Sequence, residues 1–157
     1  MNANKCFVMI ALPPETIKEI AQQLDAGMKC FYHIPSGSLE SYPDELKGNA
    51  GFDEELWQES IDKVENNFHE YISFEAMESH DSFRIMETFI GAIPDTKTRQ
   101  RFEDAISYRK PFQNFKQQLL NYPELRQQWF DFKDQQNIDW VQEQLDACNS
   151  SHNEEEE

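Results

Sequence analysis

A chain of 157 residues is long enough for one domain with a sizeable core, since roughly two-thirds of the unfolded surface is buried at this length. Hydrophobic residues make up only 38%, yet twelve Phe, five Tyr and three Trp bring the aromatic share to 13%, which predicts a core of few, large side chains. Thirty Asp and Glu against 14 Lys and Arg give a formal charge of -16; this disfavours nucleic acid and acidic membranes as partners of the whole surface and leaves only a local patch open to an anion.

Cys6 to Leu12 is a short apolar run behind Lys5, ending at Pro13-Pro14 without a small-x-small cleavage site, so no secretion signal is expected. No stretch reaches the roughly 20 apolar residues of a membrane span. Cys6, Cys30 and Cys148 stand far apart with no Cys-x-x-Cys pair, which argues against a disulfide framework or a zinc knuckle and for a reducing, cytoplasmic compartment.

From Pro14 to Asp25, Ile17, Ile20, Ala21 and Leu24 recur at helical spacing, and Gly27 stands where a helix C′ residue belongs. The β-prone runs Lys29–Ile34 and Leu39–Tyr42 flank Pro35-Ser-Gly-Ser38 and predict a hairpin. Two strands alone are marginal, and Tyr71–Glu75 supplies a third. Between them, Asp53 to Phe68 places Trp57, Ile61, Val64 and Phe68 on one helical stripe, with Asp53 as the N-cap.

Ser79 is placed to cap a helix carrying Phe83, Met86, Ile90 and Ile93, stopped by Pro94. Asp95 restarts a helix with Phe102, Ala105 and Ile106. Pro111 opens a short one with Phe112, Phe115 and Leu119, and Pro123 opens another with Leu125, Trp129 and Phe132. After Phe132 the apolar positions Ile138, Val141 and Leu145 follow a new register, which predicts a kink or break near Asn137. The fold class is therefore α+β: a small three-stranded antiparallel sheet in the first half and a helical second half. Residues 1–148 are expected to form a single domain, and residues 149–157 a disordered, dispensable acidic tail.

Three clusters, Glu78-Ser-His-Asp-Ser-Phe-Arg-Ile-Met-Glu-Thr-Phe-Ile90, Arg109-Lys-Pro-Phe-Gln-Asn-Phe-Lys116 and Trp129-Phe-Asp-Phe132, occur in this order. Together they resemble the uncharacterised bacterial protein family UPF0158, over about Met28 to Leu145. The chain carries Gln113 where the family tends to carry Arg. The resemblance implies a bacterial cytoplasmic protein and brings no catalytic residue with it.

Phe83, Met86, Phe89, Phe112, Phe115, Trp129 and Phe132 could wall a ligand pocket, but helical spacing assigns them to the core. Glu65 and His69, with Glu78 and His80, would make a metal site only if the fold gathered them, and no metal or other cofactor is expected. The opening Phe7–Glu15 superficially resembles that of ligase-like cyclic phosphoesterases, which use two His-x-Thr/Ser motifs. Only His80-Asp-Ser82 is present, and acid–base work by two imidazoles needs a second. With no phosphate loop and no nucleophile elbow, no catalytic residue is assigned.

Charge is unevenly spread: Arg84 to Lys133 holds nine Lys/Arg against six Asp/Glu. Arg99, Arg101, Arg109, Lys110 and Lys116 are the candidate binding patch, with internal pairing to the acidic first half the favoured alternative use of this charge. Arg84 and Arg109 lie beside core positions and are expected to anchor buried carboxylates. The leading functional reading is a non-catalytic protein-binding or regulatory module, with an anion or nucleic-acid binder as the alternative.

Overall fold

Pro14 opens the first helix because a missing N–H costs nothing at the first helical position. In the computed structural model, which describes residues 9–43 and 54–155, this helix, α1, is Pro14–Asp25 and buries Ile17, Ile20, Ala21 and Leu24. It stops where Gly27 takes a φ of 91° and donates its N–H to the Leu24 carbonyl at 3.0 Å. β1 (Met28–His33) and β2 (Leu39–Pro43) follow as a hairpin, and β3 (Tyr71–Phe74) pairs on the other side of β1, giving the antiparallel order β2-β1-β3.

Alternation along the strands decides which side chains are buried. Cys30 faces Phe74 and Tyr32 faces Ile72 across the β1–β3 ladder, and this face packs with the apolar stripe of α1. Phe31 points the other way and stacks on Tyr42, ring centroids 5.2 Å apart. Helix α2 (Glu54–Asn66) is tied to β2 by Lys63, whose Nζ lies 3.9 Å from Glu40. It ends two residues short of the expected Phe68, because Asn67 leaves helical geometry at φ -134° and its amide donates to the Lys63 carbonyl. Phe68 is thereby 72% exposed in a short 3-10 turn, Phe68–Glu70, instead of completing the stripe. The expected N-cap, Asp53, lies outside the described residues, as do Cys6, Phe7 and Val8 at the start of the apolar run.

The second half is helical as expected: α3 (Ser79–Gly91), α4 (Thr96–Ile106), α5 (Pro111–Leu119) and α6 (Pro123–Glu155). Ser79 does not cap α3; it is the first helical residue and Glu78 occupies the cap position without a side-chain bond. Asp95 does cap α4, its carboxylate accepting from the Thr98 N–H at 2.9 Å and the Thr98 hydroxyl at 2.7 Å. Helix α6 runs unbroken through Asn137, where a break was expected, and continues past Cys148 to Glu155. The change of stripe has another cause: the helix contributes to two different cores.

Those cores belong to two compact units, one made of the described residues up to Ala76 with those from Asn137 onward, the other of Met77–Gln136. In the first, Val141 and Leu145 of α6 join Ile20, Leu24, Cys30, Ile72 and Phe74. Amide side chains fasten this part of α6 to extended backbone. Gln144 accepts from the Glu75 N–H at 2.9 Å and donates to its carbonyl at 3.1 Å; Asn149 does the same to Ile10 at 3.0 and 2.9 Å. Asn149, the first residue of the expected tail, is therefore helical and only 7% exposed. In the second unit Met86, Phe89, Ile90, Phe102, Phe115, Leu119 and Trp129 form an aromatic core. Phe115 and Trp129 meet edge to face at 4.8 Å, and Phe89 and Trp129 at 5.3 Å.

Candidate functional site

The turn from α4 into α5 is built around a proline. The residue before Pro is sterically barred from the right-handed helical region, and Lys110, in that position, takes the left-handed one at φ 59°, the one non-glycine residue among those described to do so. Asn114 braces the turn from α5, its amide donating to the carbonyls of Ala105 at 2.9 Å and Arg109 at 3.0 Å. Ser107 donates its hydroxyl to the Asp104 carbonyl at 2.6 Å, so the orphan acceptors at the end of α4 are shared among side chains of the turn itself.

Beside this turn lies an open groove of about 750 Å³, lined by Tyr108, Arg109, Asn114, Gln117, Gln118 and Asn121. The four amides follow i, i+3, i+4, i+7: Asn114, Gln117 and Gln118 share one side of α5 while Phe115 and Leu119 occupy the buried side, and Asn121 follows just past the helix end. That amide spacing is the sequence signal for the groove; reading α5 only for its apolar positions passes over it. From Ala105 to Pro123 the sequence contains Arg109, Lys110 and Lys116 and no Asp or Glu, in a chain with 30 of them. The groove lining accordingly brings Arg109 and amides to solvent with no carboxylate among them.

The five candidate patch residues divide into two groups. Arg99 donates to the Ile93 carbonyl at 3.0 Å and reaches Glu103 at 4.0 Å, and Arg101 donates to the Tyr122 hydroxyl at 2.8 Å. These two brace α4 against its neighbours. Arg109, Lys110 and Lys116 are exposed, and their side chains form no ion pair among the described residues. Arg84 is exposed as well, so neither Arg84 nor Arg109 anchors a buried carboxylate. Arg84 sits one position off the apolar stripe of α3, which at helical pitch turns it outward, and Arg109 lies in the turn between α4 and α5. Tyr108 (71% exposed), Phe112 and Leu120 add apolar surface around the cations. The second unit as a whole carries nine Lys/Arg and nine Asp/Glu, so the net negative charge of the chain resides in the other unit.

Among the described residues no group of three or more His, Cys, Asp or Glu is placed to hold a metal ion. His80 is near Glu78 and Asp81, each at 3.4 Å, on an exposed helix start. A second polar cluster, without a sequence motif to announce it, is formed by His33, Ser36 and Ser38 of the hairpin with Glu70 of the 3-10 turn. Its members come from separate stretches, and only the pairing of β1 with β3 brings Glu70 to His33.

The uncharacterised protein family UPF0158 matches residues 17–157. Similarity extends to the UPF0158 protein PA5073 of Pseudomonas aeruginosa, 25% identical over 83 residues, which are 53% of this chain and 54% of that protein. The chain thus spans about half the length of this curated relative. No solved structure matches.

Proposed function

The chain belongs to the uncharacterised protein family UPF0158, and from that premise and the groove beside α5 we propose that it is a cytoplasmic protein-binding module whose partner presents an extended acidic segment. The observation that carries this reading is an amide-lined groove that holds Arg109 and no carboxylate, in a stretch of chain whose other charged residues are the exposed Lys110 and Lys116. The amides of Gln117, Gln118 and Asn121 can donate and accept at once, which matches the alternating N–H and C=O groups of an extended peptide. Exposed Tyr108 supplies an aromatic contact of the kind interfaces favour, and Arg109, with the exposed Lys110 and Lys116 of the same stretch, supplies complementarity to acidic side chains.

A labelled Glu-rich peptide titrated against the full chain tests the reading by fluorescence anisotropy. Neutralising Arg109, Lys110 and Lys116 together should weaken binding about ten- to hundredfold, at roughly 0.5–1 kcal/mol for each exposed cation, with circular dichroism unchanged. Peptide affinity that ignores the triple substitution would remove the groove from the proposal.

The same three cations favour a second reading, an anion or nucleic-acid binder. Three phosphate contacts would give a log–log salt slope of about -3 on duplex DNA. The charge of -16 opposes this at physiological salt, and the expected result is no oligonucleotide binding there. Salt-dependent oligonucleotide binding lost in the triple variant, with none to the peptide, would put the second reading first.

A further inference from the structure

The hairpin turn between β1 and β2 is closed by its backbone, with the Gly37 N–H donating to the His33 carbonyl and the His33 N–H to the Ser38 carbonyl, both at 2.8 Å. Ser36 is exposed at the tip, and its hydroxyl takes no part in that closure. It is engaged instead by a chain of side chains. His33 Nε2 lies 2.7 Å from Glu70 Oε1, and His33 Nδ1 lies 2.6 Å from Ser36 Oγ. A carboxylate only accepts, so in the neutral imidazole the proton sits on Nε2 and is donated to Glu70. Nδ1 is then left with its lone pair and accepts the Ser36 hydroxyl proton. On its other side Ser36 Oγ is 2.9 Å from the Ser38 hydroxyl and 3.3 Å from the Ser38 N–H, two donors that hold the nucleophilic oxygen while its own proton is directed at His33.

The base is held in place from two directions. The His33 ring packs against Tyr71 with centroids 4.8 Å apart. Glu70 is fixed by its own backbone, whose carbonyl accepts from the Ile34 N–H at 2.9 Å and whose N–H donates to Asn67 at 2.8 Å. A nucleophile bonded to a base, and that base oriented by a third group, is the general arrangement of an activated hydroxyl.

We propose that Ser36 is a covalent acyl-acceptor site, with His33 as general base and Glu70 as the residue that positions it. The co-reactant is an activated acyl ester or thioester. Ser36 Oγ forms a bond to the acyl carbon, the bond from that carbon to the leaving oxygen or sulfur breaks, and the hydroxyl proton passes to His33 Nδ1 and from there to the leaving group. The products are O-acyl Ser36 and a free alcohol or thiol. The site lies on the hairpin and is independent of the groove beside α5.

The full chain, treated with p-nitrophenyl acetate or with a fluorophosphonate probe and mapped by peptide mass spectrometry, decides the matter. Exposed Ser107 serves as the internal reference, because its hydroxyl donates to a backbone carbonyl and has no base. Ser36 should be labelled at least about a hundredfold faster than Ser107, the low end of what a positioned general base contributes. His33→Gln should bring Ser36 down to the Ser107 rate. Glu70→Gln should lower it severalfold and Glu70→Asp should restore most of the loss, a recovery that a purely structural role would not give. Equal labelling of Ser36 and Ser107 in the unaltered protein overturns the proposal, whatever the variants do, and so does full labelling in a folded His33→Gln chain.

Discussion

Burial is the first cause, and the negative charge of Glu19 the second, that pushes the Cys30 thiol up to about 12 from its ordinary 9.0. A rise of that size leaves about a thousandfold less thiolate at a given pH, and the thiolate is what alkylating reagents attack. Cys30 should therefore resist iodoacetamide at pH 8 until denaturant is added, as read by mass spectrometry; rapid modification of the native chain would place it outside the core. Between about pH 9 and 12 the folded state keeps a proton that the unfolded chain has lost, so this thiol's contribution is full below that window and falls as pH rises through it. Asp95 works in the opposite sense. The Thr98 hydroxyl and N–H, with smaller help from Arg101 and Arg99, hold its carboxyl below the usual range. Its capping contribution is present above the ordinary carboxylate pKa and disappears as pH falls through the lowered one. Acid titration of the denaturation midpoint should show a shallower acid limb in Asp95→Ala, while Asp95→Asn keeps the cap and its stability at low pH. The start of α4 at Asp95 was legible because a capping residue follows a proline stop. The outward course of Arg84 was not, because adjacency in sequence to a core position says nothing of helical phase unless the register is fixed first, and Arg109 falls in a turn where no such phase applies.

Trp129 shows how much an element can owe to one side chain. It contacts Phe89, Phe115 and Phe132 and is 8% exposed, so Trp129→Ala should cost about 3–5 kcal/mol in urea unfolding. An unchanged midpoint would mean that the aromatic core closes without it. The helices around it were read correctly because Pro111 and Pro123 mark their starts and the buried positions recur at 3.6. The sheet was equally legible, since runs rich in aromatic and β-branched residues surround a turn that needs Gly37 at φ 75°. Helix α6 was not, for a definite reason. Its apolar positions before Phe132 and after Ile138 face different cores, and two stripes of different phase read as two helices to anyone assuming one partner per helix. The groove beside α5 escaped for a related reason: its lining is a stripe of amides, and a search for apolar periodicity assigns such a stripe to solvent.

For the molecule as a whole, composition indicated the aromatic core and the acidic surface, but not that the net negative charge would fall in one unit while the other is neutral. Nor did the sequence distinguish Asn149 from the polar residues after it, because a buried amide and a solvated one look alike until their partners are known. The bond between Ile10 and Asn149 has a kinetic meaning as well as a structural one. It joins positions 139 residues apart, and bringing such ends together costs about 4 kcal/mol of chain entropy by the logarithmic loop-length rule. A contact with so high an entrance cost forms after the local hairpin and helices have already reduced it, on the native side of the folding barrier. Asn149→Ala, which leaves the Ile10 N–H and carbonyl unpaired, should lower stability by about 1.5–3 kcal/mol. In stopped-flow traces nearly all of that loss should appear as unfolding made roughly ten- to hundredfold faster, with refolding almost unchanged. A chain ending at Cys148 should behave like the substitution, and one ending at Asn149 should not. A slowed refolding limb would mean that the contact is made early. On the expected outcome one amide near the end of α6 acts as a latch on the lifetime of the folded state, closing a fold that has assembled without it.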